Sequence, residues 1–280
     1  MRTIQAQSIT DAVAELLIDA CIDLPDDVEQ ALRDALARET QPLAQSILTS
    51  ILDNSRIARE KRLPICQDTG VTNVFIDLGA DVRIAGGTLH DAVQDGIREG
   101  TARGLLRNSI VNDPLRRENT GDNTPGVVFV TPVPGDALRI AVAPKGAGCE
   151  NMSRSTMLRP ADGRQGVVDF VVETVARGGA NPCPPVIVGI GLGGDFAQST
   201  VLAKRALLRT IGVRNSDPLY AELEREILAE VNALGLGPQA LGGLSTALDV
   251  FIETAPCHIA SLPVAVCLNC HATRHKQAEL

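Results

Sequence analysis

A chain of 280 residues with 44% hydrophobic side chains carries enough apolar material for one large domain or two ordinary ones. A net charge of -8 and a pI near 5.1 argue against a nucleic-acid partner, which attracts clustered Lys and Arg, and an anionic substrate then needs local positive charge. Aromatic residues make up only 2%, with no Trp and one Tyr, so Val, Leu, Ile and Ala must do the packing. No apolar run approaches the roughly 18 residues of a membrane span. The start, with Asp11 and Glu15 close behind Met1 and no apolar stretch between, lacks the pattern of a secretory signal, and a cytoplasmic protein is expected. Seven cysteines in a reducing compartment are better read as metal ligands, redox groups or core than as a disulfide framework.

Residues 4–60 read as helices. Pro25-Asp26-Asp27 starts one that carries Val28, Ala31, Leu32, Ala35 and Leu36 at helical spacing, and Pro42 opens another with Leu43, Ile47, Leu48, Ile51 and Leu52. Cys21 lies in this part and reads as core filler. Residues 71–78 alternate as a strand does. Thr88, three residues before Asp91, is a capping-box signal for a helix with Ala92, Val93, Gly96 and Ile97. Residues 127–130 and 138–143 read as two strands joined by a hairpin-like turn at Pro134-Gly135-Asp136. An apolar helix over 166–176 stops at Gly178-Gly179, a buried strand covers 186–190, and helices follow over 196–208 and 218–234. The interleaving predicts an α/β fold, a mixed sheet flanked by helices after a helical portion. One domain over 1–280 is expected, helical over 1–60 and α/β over 61–280.

Several patterns offer chemistry. Pro64-Ile65-Cys66-Gln67-Asp68-Thr69-Gly70 puts a thiol, an amide, a carboxylate and a hydroxyl on consecutive residues between a helix breaker and a glycine, so a tight loop aims several of them into one pocket. Gly189-Ile190-Gly191-Leu192-Gly193-Gly194 matches the glycine fingerprint of a dinucleotide loop, but no second strand ending in an acidic residue follows at the required distance. The alternative reading is glycines that permit close packing. Cys267-Leu268-Asn269-Cys270-His271 matches a haem-attachment signature without an export signal to accompany it, and zinc would need a second ligand pair that is missing. Cys66, Cys183 and Cys270 lie 117 and 87 residues apart, each on a loop-like stretch beside turn residues. Spacing alone leaves them open between distant ligands and buried packing.

Five ordered motifs, Cys66-Gln67-Asp68-Thr69-Gly70, Asn119-Thr120-Gly121-Asp122-Asn123, Lys145-Gly146-Ala147-Gly148-Cys149-Glu150-Asn151, Cys183-Pro184-Pro185 and Cys270, run through most of the chain. In them the sequence resembles the alpha subunit, or N-terminal half, of class I iron-sulfur fumarate hydratases and the related L(+)-tartrate dehydratases. The resemblance implies that Cys66, Cys183 and Cys270 bind a 4Fe-4S cluster, and thiolates are the ligands such clusters take. Three thiolates on four irons leave one iron open as a Lewis acid. The same resemblance makes Asp68 the candidate acid/base and Gln67 and Asp68 contacts of the substrate or its oxygen. Arg107 matches an arginine that grips a substrate carboxylate, a task suited to the guanidinium fork. Gly148 offers a backbone N–H that no side chain shields, and His258 matches a pocket histidine. Cys149, Cys257 and Cys267 match no ligand, and His90, His271 and His275 read as structural.

Resembling single-chain enzymes continue into a second domain beyond the third cysteine, whereas this chain ends ten residues after Cys270. The resemblance therefore implies a separate beta subunit that completes the site, alpha chains paired within a heterotetramer, and a small dicarboxylate substrate of the tricarboxylic acid cycle. Reversible hydration of fumarate to L-malate is the expected reaction, with L(+)-tartrate dehydration as the alternative. From other classes there remain an NAD-dependent oxidoreductase using the 189–194 glycines and a non-catalytic cluster-binding regulator.

Overall fold

The computed structural model describes residues 1–280. In chain order its elements are β1 (Arg2–Gln5), α1 (Ala6–Ile22), α2 (Asp26–Arg38), α3 (Pro42–Lys61), β2 (Val71–Gly79), β3 (Val82–Ala85), α4 (Leu89–Arg103), β4 (Val127–Val133) and β5 (Leu138–Lys145). There follow α5 (Ala147–Glu150), β6 (Arg154–Leu158), α6 (Gly163–Gly178), β7 (Val186–Gly194), α7 (Phe196–Ala206), α8 (Pro218–Ala233), β8 (Ala247–Cys257), β9 (Leu262–Asn269) and β10 (Lys276–Glu279). Helices flanking mixed sheets make this an α/β fold. The chain forms two compact units, one of Met1–Pro25, Ser55–Ala147 and Arg274–Leu280, the other of Asp26–Asn54 and Gly148–Thr273.

The local signals act where the sequence puts them. Thr88 Oγ1 accepts from Asp91 N at 3.0 Å to cap α4, and Pro42 opens α3. The first 60 residues are helical apart from β1, which pairs in parallel with β3.

In the first unit the sheet order is β10-β5-β2-β4. β2 runs parallel to β4 and antiparallel to β5, and Phe75 of β2 stacks on its register partner Phe129 of β4 with ring centroids 4.8 Å apart. Ile9, Val13 and Leu17 of α1 and Val93 and Ile97 of α4 cover Val74, Ile76, Ile140 and Val142 of this sheet. The hairpin expected at Pro134-Gly135-Asp136 does not form, because β4 and β5 lie on opposite sides of β2. The end of β2 fills the space between them: Gly79 N donates to Ala137 O, Ala80 N to Val133 O and Asp81 N to Gly135 O. The sheet is mixed as expected, but the parallel β2–β4 pair comes from a crossover through α4, not from a turn.

The second unit repeats this arrangement in the order β6-β9-β7-β8, with β7 parallel to β8 and antiparallel to β9. β7 is buried through Gly193 and reads as a continuous apolar run, as a central strand covered on both faces must. The 189–194 glycines are therefore strand, not a dinucleotide loop. A Cβ on Gly189 would lie 2.2 Å from Ala203 O and one on Gly191 1.9 Å from Ser199 O, so these glycines let α7 pack directly on the strand. The connection from α7 to α8 is tied to β8 by the fully buried Glu224, whose carboxylate accepts from Arg209 Nη1 (2.7 Å), Asn215 N (2.9 Å) and Ile252 N (3.0 Å).

Candidate functional site

In the first unit the Cys66 turn sits between α3 and β2 and is supported from five distant stretches of chain. Ile65 N donates to Cys21 O at 2.9 Å, which ties the turn to the end of α1. Cys66 is half-buried, and its Sγ accepts from Asp68 N at 3.4 Å and lies 3.5 Å from Gln67 Oε1. The Asp68 carboxylate is fixed at both oxygens: Oδ1 accepts from Gly70 N (3.0 Å) and Ser109 Oγ (3.2 Å), Oδ2 from Ala147 N (2.8 Å). Gly70 has φ +71°, and a Cβ there would lie 2.0 Å from Lys145 O, so the turn closes only with glycine at its end.

The Asn119–Asn123 stretch braces the same place. Asn123 is fully buried; its Oδ1 accepts from Ser109 N at 2.8 Å and its Nδ2 donates to Gly70 O. Asp122 accepts from Thr124 N, Thr124 Oγ1 and Arg98 Nε. Burial pushes its carboxyl up, but the Thr124 and Arg98 bonds outweigh that and hold it at about 2. Arg107 is exposed two residues before Ser109, and its own carbonyl, 3.5 Å from Ser109 Oγ, is its link to the Asp68 cluster.

In the second unit Cys183 and Cys270 stand on neighbouring loops. Cys183 adopts φ +53°, a conformation few residues other than glycine take and one that concentrates at functional loops. Its carbonyl lies 2.9 Å from His271 Nδ1, and Gln239 reaches both that ring nitrogen (3.2 Å) and, through its backbone N, Pro184 O (2.8 Å). His271, adjacent to Cys270, thus fastens the two cysteine loops together through backbone, in keeping with its structural reading. Cys149 is buried, donating its thiol to Pro182 O at 3.5 Å. Gly148 is exposed within α5, and a Cβ there would lie 2.9 Å from Asn181 O. His258 is exposed between β8 and β9, where its Nδ1 accepts from Ala260 N at 3.1 Å.

The predicted residues thus form one group around Asp68, with Cys66, Gln67 and Arg107, and another around Cys183 and Cys270. Gly148 borders the second group, beside Asn181 O, and His258 is on the turn between β8 and β9. Neither unit alone gathers three or more His, Cys, Asp or Glu side chains into a metal cage. The donor chemistry nevertheless separates the cysteines. Cys66, Cys183 and Cys270 are part-exposed on loops, Cys21, Cys149 and Cys267 are buried, and Cys257 is exposed at the end of a strand. The N–H bond received by Cys66 Sγ is of the kind that stabilises a thiolate ligand, so Cys66 has the chemistry of an iron-sulfur ligand, and Cys183 and Cys270 each share its part-exposed loop setting. Ser109, Asn123, Ala147 and Arg274, whose Nη2 donates to Asp68 O, build the Cys66 turn and went unrecognised as a group. Two of them lie inside or beside quoted motifs, which is the signal that was present.

These features define an α/β protein with thiol-bearing loops and a carboxylate fixed beside one thiol. The family description Fumarate hydratase (Fumerase) matches residues 10–279. A Methanocaldococcus jannaschii protein with the provisional name L(+)-tartrate dehydratase subunit alpha is 44% identical over 272 residues, covering 95% of each chain. The L(+)-tartrate dehydratase subunit alpha of Escherichia coli strain UTI89 is 35% identical over 269 residues, covering 95% of this chain and 88% of its own. That of strain K12 is 34% identical over the same length and coverage. The chain belongs to the class I fumarate hydratase family of hydro-lyases.

Proposed function

We propose that this chain is the alpha subunit of an iron-sulfur hydro-lyase that interconverts fumarate and L-malate, with Cys66, Cys183 and Cys270 holding a 4Fe-4S cluster. The observation that carries the reading is the Asp68 carboxylate, fixed by three donors two residues from a part-exposed thiol. When bound, a cluster with three thiolate ligands supplies an open iron as Lewis acid.

The chain's own residues would do the rest. Asp68 Oδ2 keeps acceptor capacity beyond its Ala147 bond and is the atom at which a proton is taken or given. Gln67, exposed beside it, offers an amide to the substrate oxygen, and Arg107 a guanidinium to a carboxylate. The Gly148 N–H and His258 are the second unit's candidate contacts to the other carboxylate. The seven cysteines form no disulfide, which suits a reducing cytoplasm.

L(+)-tartrate is the second reading, favoured by the names of the relatives. The same names favour a beta subunit that completes the site. The test is an anaerobic assay of the cluster-loaded chain, alone and with its beta partner, on L-malate and L(+)-tartrate. Near inactivity alone and a higher kcat/KM for L-malate with the partner support the proposal. Robust turnover by the chain alone contradicts the subunit reading, and preference for L(+)-tartrate replaces the substrate.

A further inference from the structure

Arg274 lies two residues before β10 and is only 5% exposed. β10 is held antiparallel to β5, and Lys276 Nζ pairs with Asp23 at 2.9 Å, so the backbone carrying Arg274 is fixed. Its Nη2 donates to the main-chain carbonyls of Asp68 and, at 3.5 Å, Thr69. Both acceptors are neutral oxygens, and the buried Nη1 has no acceptor at all. A guanidinium taken out of water needs negative charge close by.

The residue whose carbonyl it holds, Asp68, gives its own N–H to Cys66 Sγ at 3.4 Å, so Arg274 stands one residue's backbone away from that thiol. Cys21 borders the same turn, its carbonyl accepting from Ile65 N at 2.9 Å. Cys21 is a buried core thiol, whereas Cys66 is part-exposed and receives the Asp68 N–H.

We propose that Arg274 is the positioning residue and fixed counter-charge of the Cys66 turn, locking the Asp68 and Thr69 carbonyls with one nitrogen and offsetting the negative charge of a thiolate-bound cluster with its cation. This deepens the cluster reading and rests on it. Removing the cation leaves the reduced, more negative cluster less stabilised, so the midpoint potential falls. Removing the Nη2 bonds loosens the turn, so iron leaves faster.

The experiment compares wild type, Arg274→Met, Arg274→Lys and the core control Ile97→Ala as full chains purified anaerobically. It reads iron and sulfide content, the cluster's midpoint potential and the rate of iron release to a chelator. Arg274→Met is expected to show a lower potential and about tenfold faster iron release. Arg274→Lys should keep the wild-type potential but release iron faster, because its shorter side chain stops the ammonium short of the carbonyls that Nη2 holds. Ile97→Ala, which opens the core of the same unit, should leave the potential unmoved. If Arg274→Met does not fold, Arg274→Lys decides: wild-type release from it overturns the proposal. A loaded wild type matched by Arg274→Met in potential and release also overturns it. A wild type that takes up no iron overturns the cluster reading itself.

Discussion

Asp68 shows how a short motif becomes a fixed carboxylate. Its two oxygens are held by Gly70, Ser109 and Ala147, so its position is set by residues up to 79 apart in sequence. Asp68→Asn keeps the shape but removes the oxygen proposed to carry the proton. With iron content unchanged, kcat should fall by about a hundredfold or more, with KM moved far less. A variant as active as wild type would remove Asp68 from the chemistry. Asp122, in contrast, is a brace. Its folded carboxyl stays ionised down to about 2 against an ordinary 3.8, so its contribution is complete above about pH 4 and is lost as pH falls through about 2. The urea midpoints of wild type and Asp122→Asn should therefore differ at pH 7 and converge towards pH 2. A gap that does not change with pH contradicts this.

At the scale of elements, local chemistry was readable and pairing was not. Thr88, Pro42 and Pro218 mark helix starts because each acts on neighbouring backbone. The turn at Pro134-Gly135-Asp136 misled because its residues specify a reversal but not what occupies the space between the strands. Gly79 decides that, since a Cβ there would lie 2.5 Å from Gly135 O, and it is 56 residues away. The thiol loops and Asn123 were legible through their motifs, whereas Ser109 and Arg274 were not, because their role exists only after the chain has folded. The β7 glycines had two readings in sequence, and α7 packed on them selects one. Gly191→Ala, which drives a Cβ into Ser199 O, should destabilise the chain by about 1–3 kcal/mol in urea unfolding. Neither form should bind NADH. Unchanged stability would mean that α7 does not pack as described.

At the scale of the whole molecule, the two units use the same strand plan, a central strand with a parallel neighbour on one side and an antiparallel one on the other. The sequence shows no repeat, since strand plan depends on which faces are apolar and not on residue identity. Each unit carries part of the candidate chemistry, Cys66 and Asp68 in one, Cys183 and Cys270 in the other. The account therefore turns on the metal they are proposed to share. Anaerobic iron and sulfide analysis of the reconstituted wild-type chain beside Cys66→Ser, Cys183→Ser, Cys270→Ser and Cys257→Ser tests this most directly. About four irons and four sulfides per chain are expected in wild type and Cys257→Ser, with clear loss in the other three. A wild type without iron, or the three variants loading as fully as wild type, would contradict it.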